Sequence, residues 1–155
     1  MEPLPIDKYP VRLALELEPG PYFVLPDEAA LRQIAGRLKG DRVLHSRVGF
    51  NLDIAHWRLA KVPVPSDSDT TLKERVVHAH LSGHHRRAHF GDIPPLDLNA
   101  ASDFDPWLDL LEGIALSTQA REASPGFSGY VSLEAEAAKN VEIVQQSVRQ
   151  LVALL

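Results

Sequence analysis

Short apolar segments alternate along the chain with longer stretches in which apolar residues recur at helical spacing. Four segments have the near-continuous apolar bodies typical of buried parallel strands. They lie near 11–18, 47–53, 76–81 and 129–134. The helical spacing predicts helices near 28–38, 68–75, 106–117 and 136–154. The pattern therefore predicts four strand–helix units, an α/β fold in which helices cover a parallel sheet.

Capping residues and chain length refine this prediction. Asp27 is a good N-cap for the first helix, Gly40 closes it, and Asp103 or Asp105 caps the third. Nothing indicates a second domain, so residues 1–155 are predicted to form one. A closed barrel of eight strand–helix units usually needs about 250 residues. The chain is therefore predicted to be half of a TIM (β/α)8 barrel.

Each predicted strand ends in a residue that can bind a divalent metal ion. These residues are Glu16 (or Glu18), Asp53, His80 and Glu134. In a parallel sheet the C-terminal ends of the strands lie on one rim, where ligands bind. Residues far apart in sequence would then meet, and their oxygen and nitrogen donors suit a divalent ion.

Other roles remain open for some of these residues. Asp53 could instead cap the next helix, a common role for aspartate. Glu16 and Glu18 have the same strand parity, and Glu16 is preferred because it lies deeper in the apolar run. His78 and His80 also share parity, and His80 is preferred because it lies nearer the C-terminal end, whereas His78 fits a core histidine.

Composition narrows the classes of function. The net charge is −5, so the chain lacks the basic footprint of a nucleic-acid-binding protein. There are no cysteines, which leaves no disulfide framework and no thiolate metal site. The N-terminus does not resemble a secretory signal, and no apolar run approaches the roughly 20 residues of a membrane span. A cytoplasmic protein without a membrane partner is expected.

Four motifs follow one another along 11–155. They are LELEP at 15–19, GFNLDIAH at 49–56, VHAHL at 77–81 and GFSGYVSLE at 126–134. In this order they resemble strands five to eight of the xylose isomerase-like TIM barrels, the sugar-phosphate isomerase/epimerase superfamily. The resemblance implies an isomerase or epimerase of carbohydrate metabolism.

The resemblance also implies roles for individual residues. The metal ligands would be Glu16, Asp53, His80 and Glu134, holding Mn²⁺, Mg²⁺, Co²⁺ or Zn²⁺. Glu16 and Glu134 would also move the proton α to a carbonyl, through an enediolate. His56 and Arg86 would contact the substrate, a small sugar or sugar phosphate.

The first four strands of such a barrel have no counterpart in the chain. A four-stranded half would have two open edges and an uncovered interior face, so we expect self-association or binding to a separate N-terminal half-barrel. One alternative is a non-catalytic half-barrel that serves as a binding or assembly module, or an inactive fragment. A further alternative is a zinc hydrolase or endonuclease-like relative, because His78 and His80 form a familiar metal-binding pair.

Overall fold

A computed structural model describes residues 12–66, 69–81, 105–119, 130–134 and 141–154, and its strands form one parallel sheet. The strands are β1 (Leu13–Glu16), β2 (Val48–Asp53), β3 (Val76–Leu81) and β4 (Val131–Leu133). They lie side by side in the order of the sequence, and every neighbouring pair is parallel. The predicted α/β fold with a four-stranded parallel sheet is therefore confirmed.

Six helices occur in the described residues. They are α1 (Glu28–Gly40), α2 (Arg42–Arg47), α3 (Ile54–Leu59), α4 (Thr70–Lys73), α5 (Asp105–Gln119) and α6 (Val141–Leu154). The helix predicted near 68–75 is shortened to the single turn of α4, and residues 136–140 lie outside the described part of the chain. None of the helices described is both long enough and apolar enough to cross a membrane.

Two aspartates set the boundaries of the first helices. Asp27 caps α1 as predicted, because its Oδ1 accepts a hydrogen bond of 2.9 Å from the Ala30 amide. Gly40 ends α1, but Asp41 begins α2 at once by accepting from the amides of Val43 and Leu44 at 2.9 and 3.0 Å. Helix α2 was not among the predicted helices, although Asp41 is its capping signal in the sequence.

The apolar core lies on one face of the sheet. Alternate residues of the central strands enter it, namely Phe50, Leu52, Ala79 and Leu81. The helices supply the other half of the core, and Trp57 of α3 meets Trp107 of α5 edge to face at 6.0 Å. Each crossover advances by one strand in the same direction, which places the helices on this face.

The opposite face, called here the inner face, carries polar side chains along the central strands. Asn51 and Asp53 project from β2, and His78 and His80 from β3, with Ser132 beside them on β4. Asn51 and Asp53 are buried on this face. Polar chemistry is therefore concentrated on one side of the sheet and apolar packing on the other.

Candidate metal centre

Four predicted ligands meet at the C-terminal ends of the strands. The Nδ1 atom of His80 lies 3.8 Å from Glu16 Oε2 and 3.8 Å from Asp53 Oδ2. The same nitrogen lies 3.9 Å from Oε2 of Glu134, which follows β4 directly. Each strand of the sheet thus contributes one donor to the same small volume.

His56 contributes a fifth donor from the first turn of α3. Its Nδ1 atom lies 3.1 Å from Glu16 Oε1 and 4.0 Å from Asp53 Oδ2. One donor atom from each of Glu16, Asp53, His56 and Glu134 lies within 4.8 Å of the other three. Two ligands bound about 2.1 Å from one ion are at most about 4.2 Å apart. A small contraction of the cluster would therefore enclose a divalent ion.

Several donor atoms of the cluster are buried without a hydrogen-bond partner. Within the described residues this applies to Asp53 Oδ2, His80 Nδ1 and Glu134 Oε2. The whole Asp53 side chain has 0% exposure. Burying an unpaired polar or charged group costs free energy unless a partner compensates for it. A cation at the centre would supply that partner for all three atoms, so the residues fit a metal ion.

Asp53 divides its two carboxylate oxygens between two roles. Oδ1 accepts a hydrogen bond of 2.8 Å from the His56 amide and caps α3. Oδ2 points into the cluster. The helix-capping interpretation of Asp53 is therefore compatible with the ligand interpretation, because each needs only one oxygen.

Asn51 is a member of the site that the sequence analysis missed. Its Nδ2 donates a hydrogen bond of 2.8 Å to Glu16 Oε2, while His56 lies against Oε1 of the same carboxylate. Asn51 is buried and faces the same way as Asp53, two residues later on β2. That shared parity was the signal that could have identified it.

Burial and neighbouring charges shift the proton affinities of the cluster. Burial, followed by the adjacent carboxylate of Asp53, raises the pKa of Glu134 to about 7. Burial alone would lower the pKa of His56, but Glu16 and the nearby charge of Asp53 outweigh it and raise the pKa to about 9. Burial alone would raise the pKa of Glu16, but the hydrogen bonds from His56 and Asn51 outweigh it, so the pKa of Glu16 is lowered. The metal-free cluster therefore holds protons that a bound cation would displace.

A bulge in β3 places the histidines on the inner face. Phe50 pairs with Val76, whereas the next residue, Asn51, pairs with His78, so Val77 is an extra residue in β3. Strict pairing from Val76 onward would set Asp53 against Ala79 and turn the histidines toward the apolar core. The bulge lets Val76 remain in the core while His80 lies beside Asp53, and bulges commonly re-aim side chains in this way.

Gly49 lies against this bulge and has no room for a side chain. A Cβ atom there would lie 2.5 Å from the Arg75 carbonyl oxygen and closer still to the Val77 side chain. That oxygen accepts the Phe50 amide hydrogen at 2.6 Å, which fixes the bulge in place. Gly49→Ala should therefore lower the free energy of unfolding by about 1–3 kcal/mol and weaken metal binding.

The matched control is Gly36→Ala in α1, where a Cβ meets nothing within 4 Å. Removing a helical glycine should stabilise the protein by up to about 1 kcal/mol. Urea unfolding measures both changes. Equal effects of the two substitutions would contradict the role assigned to the bulge.

The remaining predicted residues take different places. His78 is two residues before His80 and forms a hydrogen bond of 2.8 Å with the Ser132 hydroxyl. The rings of His78 and His80 meet edge to face at 5.3 Å, so His78 packs against the ligand His80 from the N-terminal side of β3. Glu18 lies just beyond β1, in the wall of a neighbouring groove. Arg86, the predicted substrate-binding residue, lies outside the described residues.

No protein-family model matches this chain, and neither a curated protein nor a solved structure matches it significantly. The resemblance to the xylose isomerase-like barrels therefore rests on the four sequence motifs and remains a prediction.

Proposed function

We propose that this protein is half of a xylose isomerase-like barrel whose activity is the metal-dependent isomerisation or epimerisation of a sugar or sugar phosphate. The observation that carries the proposal is the convergence of Glu16, Asp53, His80 and Glu134 at the ends of four consecutive parallel strands. The strand order and the single helical face agree with one half of a TIM barrel.

The donor set suggests which ions would bind. Three carboxylates and two imidazoles suit Mn²⁺, Co²⁺ or Zn²⁺, and the carboxylates also suit Mg²⁺. Glu16, Asp53 and Glu134 would hold the ion together with His56, whose donor atom lies within 4.8 Å of theirs. His80, whose Nδ1 lies 3.8–3.9 Å from the same three carboxylates, would complete the set. When bound, a divalent ion polarises a substrate carbonyl and stabilises the negative charge of an enediolate.

Glu16 and Glu134 would transfer the proton. Glu16 ends β1 and Glu134 follows β4, the two outermost strands, so the two side chains reach the centre from opposite sides. One carboxylate oxygen would take the proton from the carbon α to the carbonyl, and the electron pair of that C–H bond would form the enediolate. Return of a proton to the other face of this carbon restores the carbonyl and gives the epimer. Return to the former carbonyl carbon, with transfer of the hydroxyl proton of the α carbon to the former carbonyl oxygen, gives the isomer. Asn51 and His56 would hold Glu16 in position for this step.

Deuterium uptake tests the proposal without knowledge of the product. The Mn²⁺-loaded protein is incubated in D₂O with aldoses, ketoses and their phosphates, and incorporation at the α carbon is followed by mass spectrometry. At least one substrate should exchange. Glu16→Gln and Glu134→Gln should each slow exchange by about a hundredfold or more, the usual contribution of a general acid or base.

Glu142→Gln is the control, because Glu142 is exposed on α6 and is not a member of the donor cluster. Exchange that survives both Glu16→Gln and Glu134→Gln would contradict the assigned roles. Metal binding without exchange of any substrate would instead identify a non-catalytic binding module.

A further inference from the structure

Both outer strands of the sheet have an open edge within the described part of the chain. β1 pairs only with β2, and β4 pairs only with β3. Open edges present unpaired backbone groups that pair readily with another strand. Both edges run in the same direction, because all four strands are parallel.

A concave apolar surface, the β1 groove, lies beside the first edge. It encloses about 370 Å³ and is lined by Leu15, Glu16, Glu18, Phe23, Val24, Leu25 and Ile34. Val24 is 86% exposed, and Phe23 is also exposed. The groove therefore offers apolar surface that the described residues do not cover.

A second exposed apolar surface, the α6 stripe, lies on the helix that packs against β4. Val141, Val148 and Val152 are exposed, and their spacing of seven and four residues aligns them along one side of the helix. Ser147, on another side of α6, is buried. The helix thus uses one side within this chain and presents a second apolar side outward.

The strand registers supply the stagger of half a closed barrel. Glu16 pairs with Asn51, which lies two residues before the ligand Asp53. The ligand of β2 therefore lies two residues further along its strand than the residue that pairs with the ligand of β1. Asp53 pairs with His80, which adds none. His80 pairs with Ser132, two residues before Glu134, which adds two more. These offsets sum to four residues, which is half of the total strand offset (the shear) of about eight residues in an eight-stranded TIM barrel.

We propose that a second copy of this chain covers both edges, and that the two copies close an eight-stranded parallel barrel around a two-fold axis along the strands. β4 of each copy would pair with β1 of the other, with Glu134 level with Glu16 of the partner subunit. The α6 stripe of one copy would enter the β1 groove of the other. Both metal centres would then face the same mouth.

A second copy fits because the occupant must meet three requirements at once. It must offer an open strand edge of the same direction, a matching four-residue stagger and an exposed apolar helix beside that edge. The opposite side of this same chain has all three. The inference shares the half-barrel of the proposed function but not its metal or its proton transfer, so the two can fail separately.

Sedimentation equilibrium tests the pairing. The wild-type mass should be twice the 17.1 kDa of one chain, with or without EDTA. Val24→Glu in the groove and Val148→Lys in the stripe should each raise the dimer dissociation constant about tenfold or more, because each buries an unpaired charge. The double variant should recover most of the loss, because every groove then pairs a glutamate with a lysine.

Val43→Lys in α2 is the matched control, since Val43 is 47% exposed and Val148 is 44% exposed. It should leave the mass unchanged. A wild-type monomer at tens of micromolar, larger aggregates, or a dimer insensitive to both charged variants would each overturn the proposal.

Cross-linking tests the geometry independently, because the chain has no native cysteine. The four-residue stagger sets Tyr130 level with Arg12 of the partner subunit. A mixture of Arg12→Cys and Tyr130→Cys chains should cross-link through a short bis-maleimide, whereas neither variant should cross-link to itself. Self-cross-linking of the Arg12→Cys chain alone would show pairing between like edges and refute the closed barrel.

Discussion

Mn²⁺ at a hundredfold excess over its dissociation constant should raise the free energy of unfolding of the metal-free protein by about 2.7 kcal/mol. The reason is that the donors come from four strands and one helix, and meet only in the folded chain. Thermal melts after EDTA treatment, with and without added Mn²⁺, measure the change.

Two substitutions at Asp53 separate metal binding from helix capping. Asparagine can still cap α3 but lacks the charge of the carboxylate, so Asp53→Asn should abolish the response to Mn²⁺ at little cost in metal-free stability. Asp53→Ala should also lose the cap, which costs about 1 kcal/mol.

Asp27→Asn is the matched control, because Asp27 caps α1 in the same way, is exposed and is not a member of the donor cluster. It should leave the response to Mn²⁺ intact. Retention of the full response in Asp53→Asn would rule out Asp53 as a ligand.

Metal-free protein should lose stability as the pH rises from about 7 to 9. The folded-state pKa of His56 is about 9, above its usual 6.5, so between these values the folded chain binds more protons than the unfolded chain. Stability therefore falls with rising pH in this window. Glu134 acts in the same direction between its usual 4.5 and its folded value of about 7.

The window above pH 7 is the informative one. Burial, followed by a neighbouring positive charge, lowers the pKa of His45 and of His78, so both oppose the trend at and below their usual 6.5. Melting temperatures across pH 7–9 should fall for the metal-free wild type and stay nearly flat for His56→Gln. With saturating Mn²⁺ the fall should disappear, because the bound ion has already displaced the protons that the metal-free folded chain holds. A metal-free melting temperature that rises with pH would contradict the shift assigned to His56.

The position of the site was predictable because parallel strands converge at one rim. Glu16, Asp53, His80 and Glu134 each follow an apolar run, and that pattern alone predicts that they lie together. The same reasoning predicted β2 and β3 to within a residue. It placed β1 and β4 less well, because edge strands are shorter than the apolar segments that contain them.

The features that were missed depend on tertiary contacts. Strand parity puts Asn51 on the same face as Asp53, but its role in the site comes from the hydrogen bond to Glu16 on the neighbouring strand. The shortness of α4 follows from the approach of β3, which begins three residues after α4 ends. The alternation of apolar residues could not show that Val77 is an extra residue, because both Val76 and Val77 suit a buried strand.

Because the extra residue Val77 crowds Gly49, the side chain that position 49 can accept depends on the length of β3. Loss of the codon for Val77 would leave Asn51 paired with His78 and Asp53 with His80, so the donors would keep their places. A shorter strand would no longer crowd Gly49, and a related chain without a residue at 77 could carry alanine there. Loss of the codon for Ala79 would instead turn His80 toward the apolar core. In homologues, the spacing within β3 should therefore distinguish functional from degenerate sites even where every donor is retained.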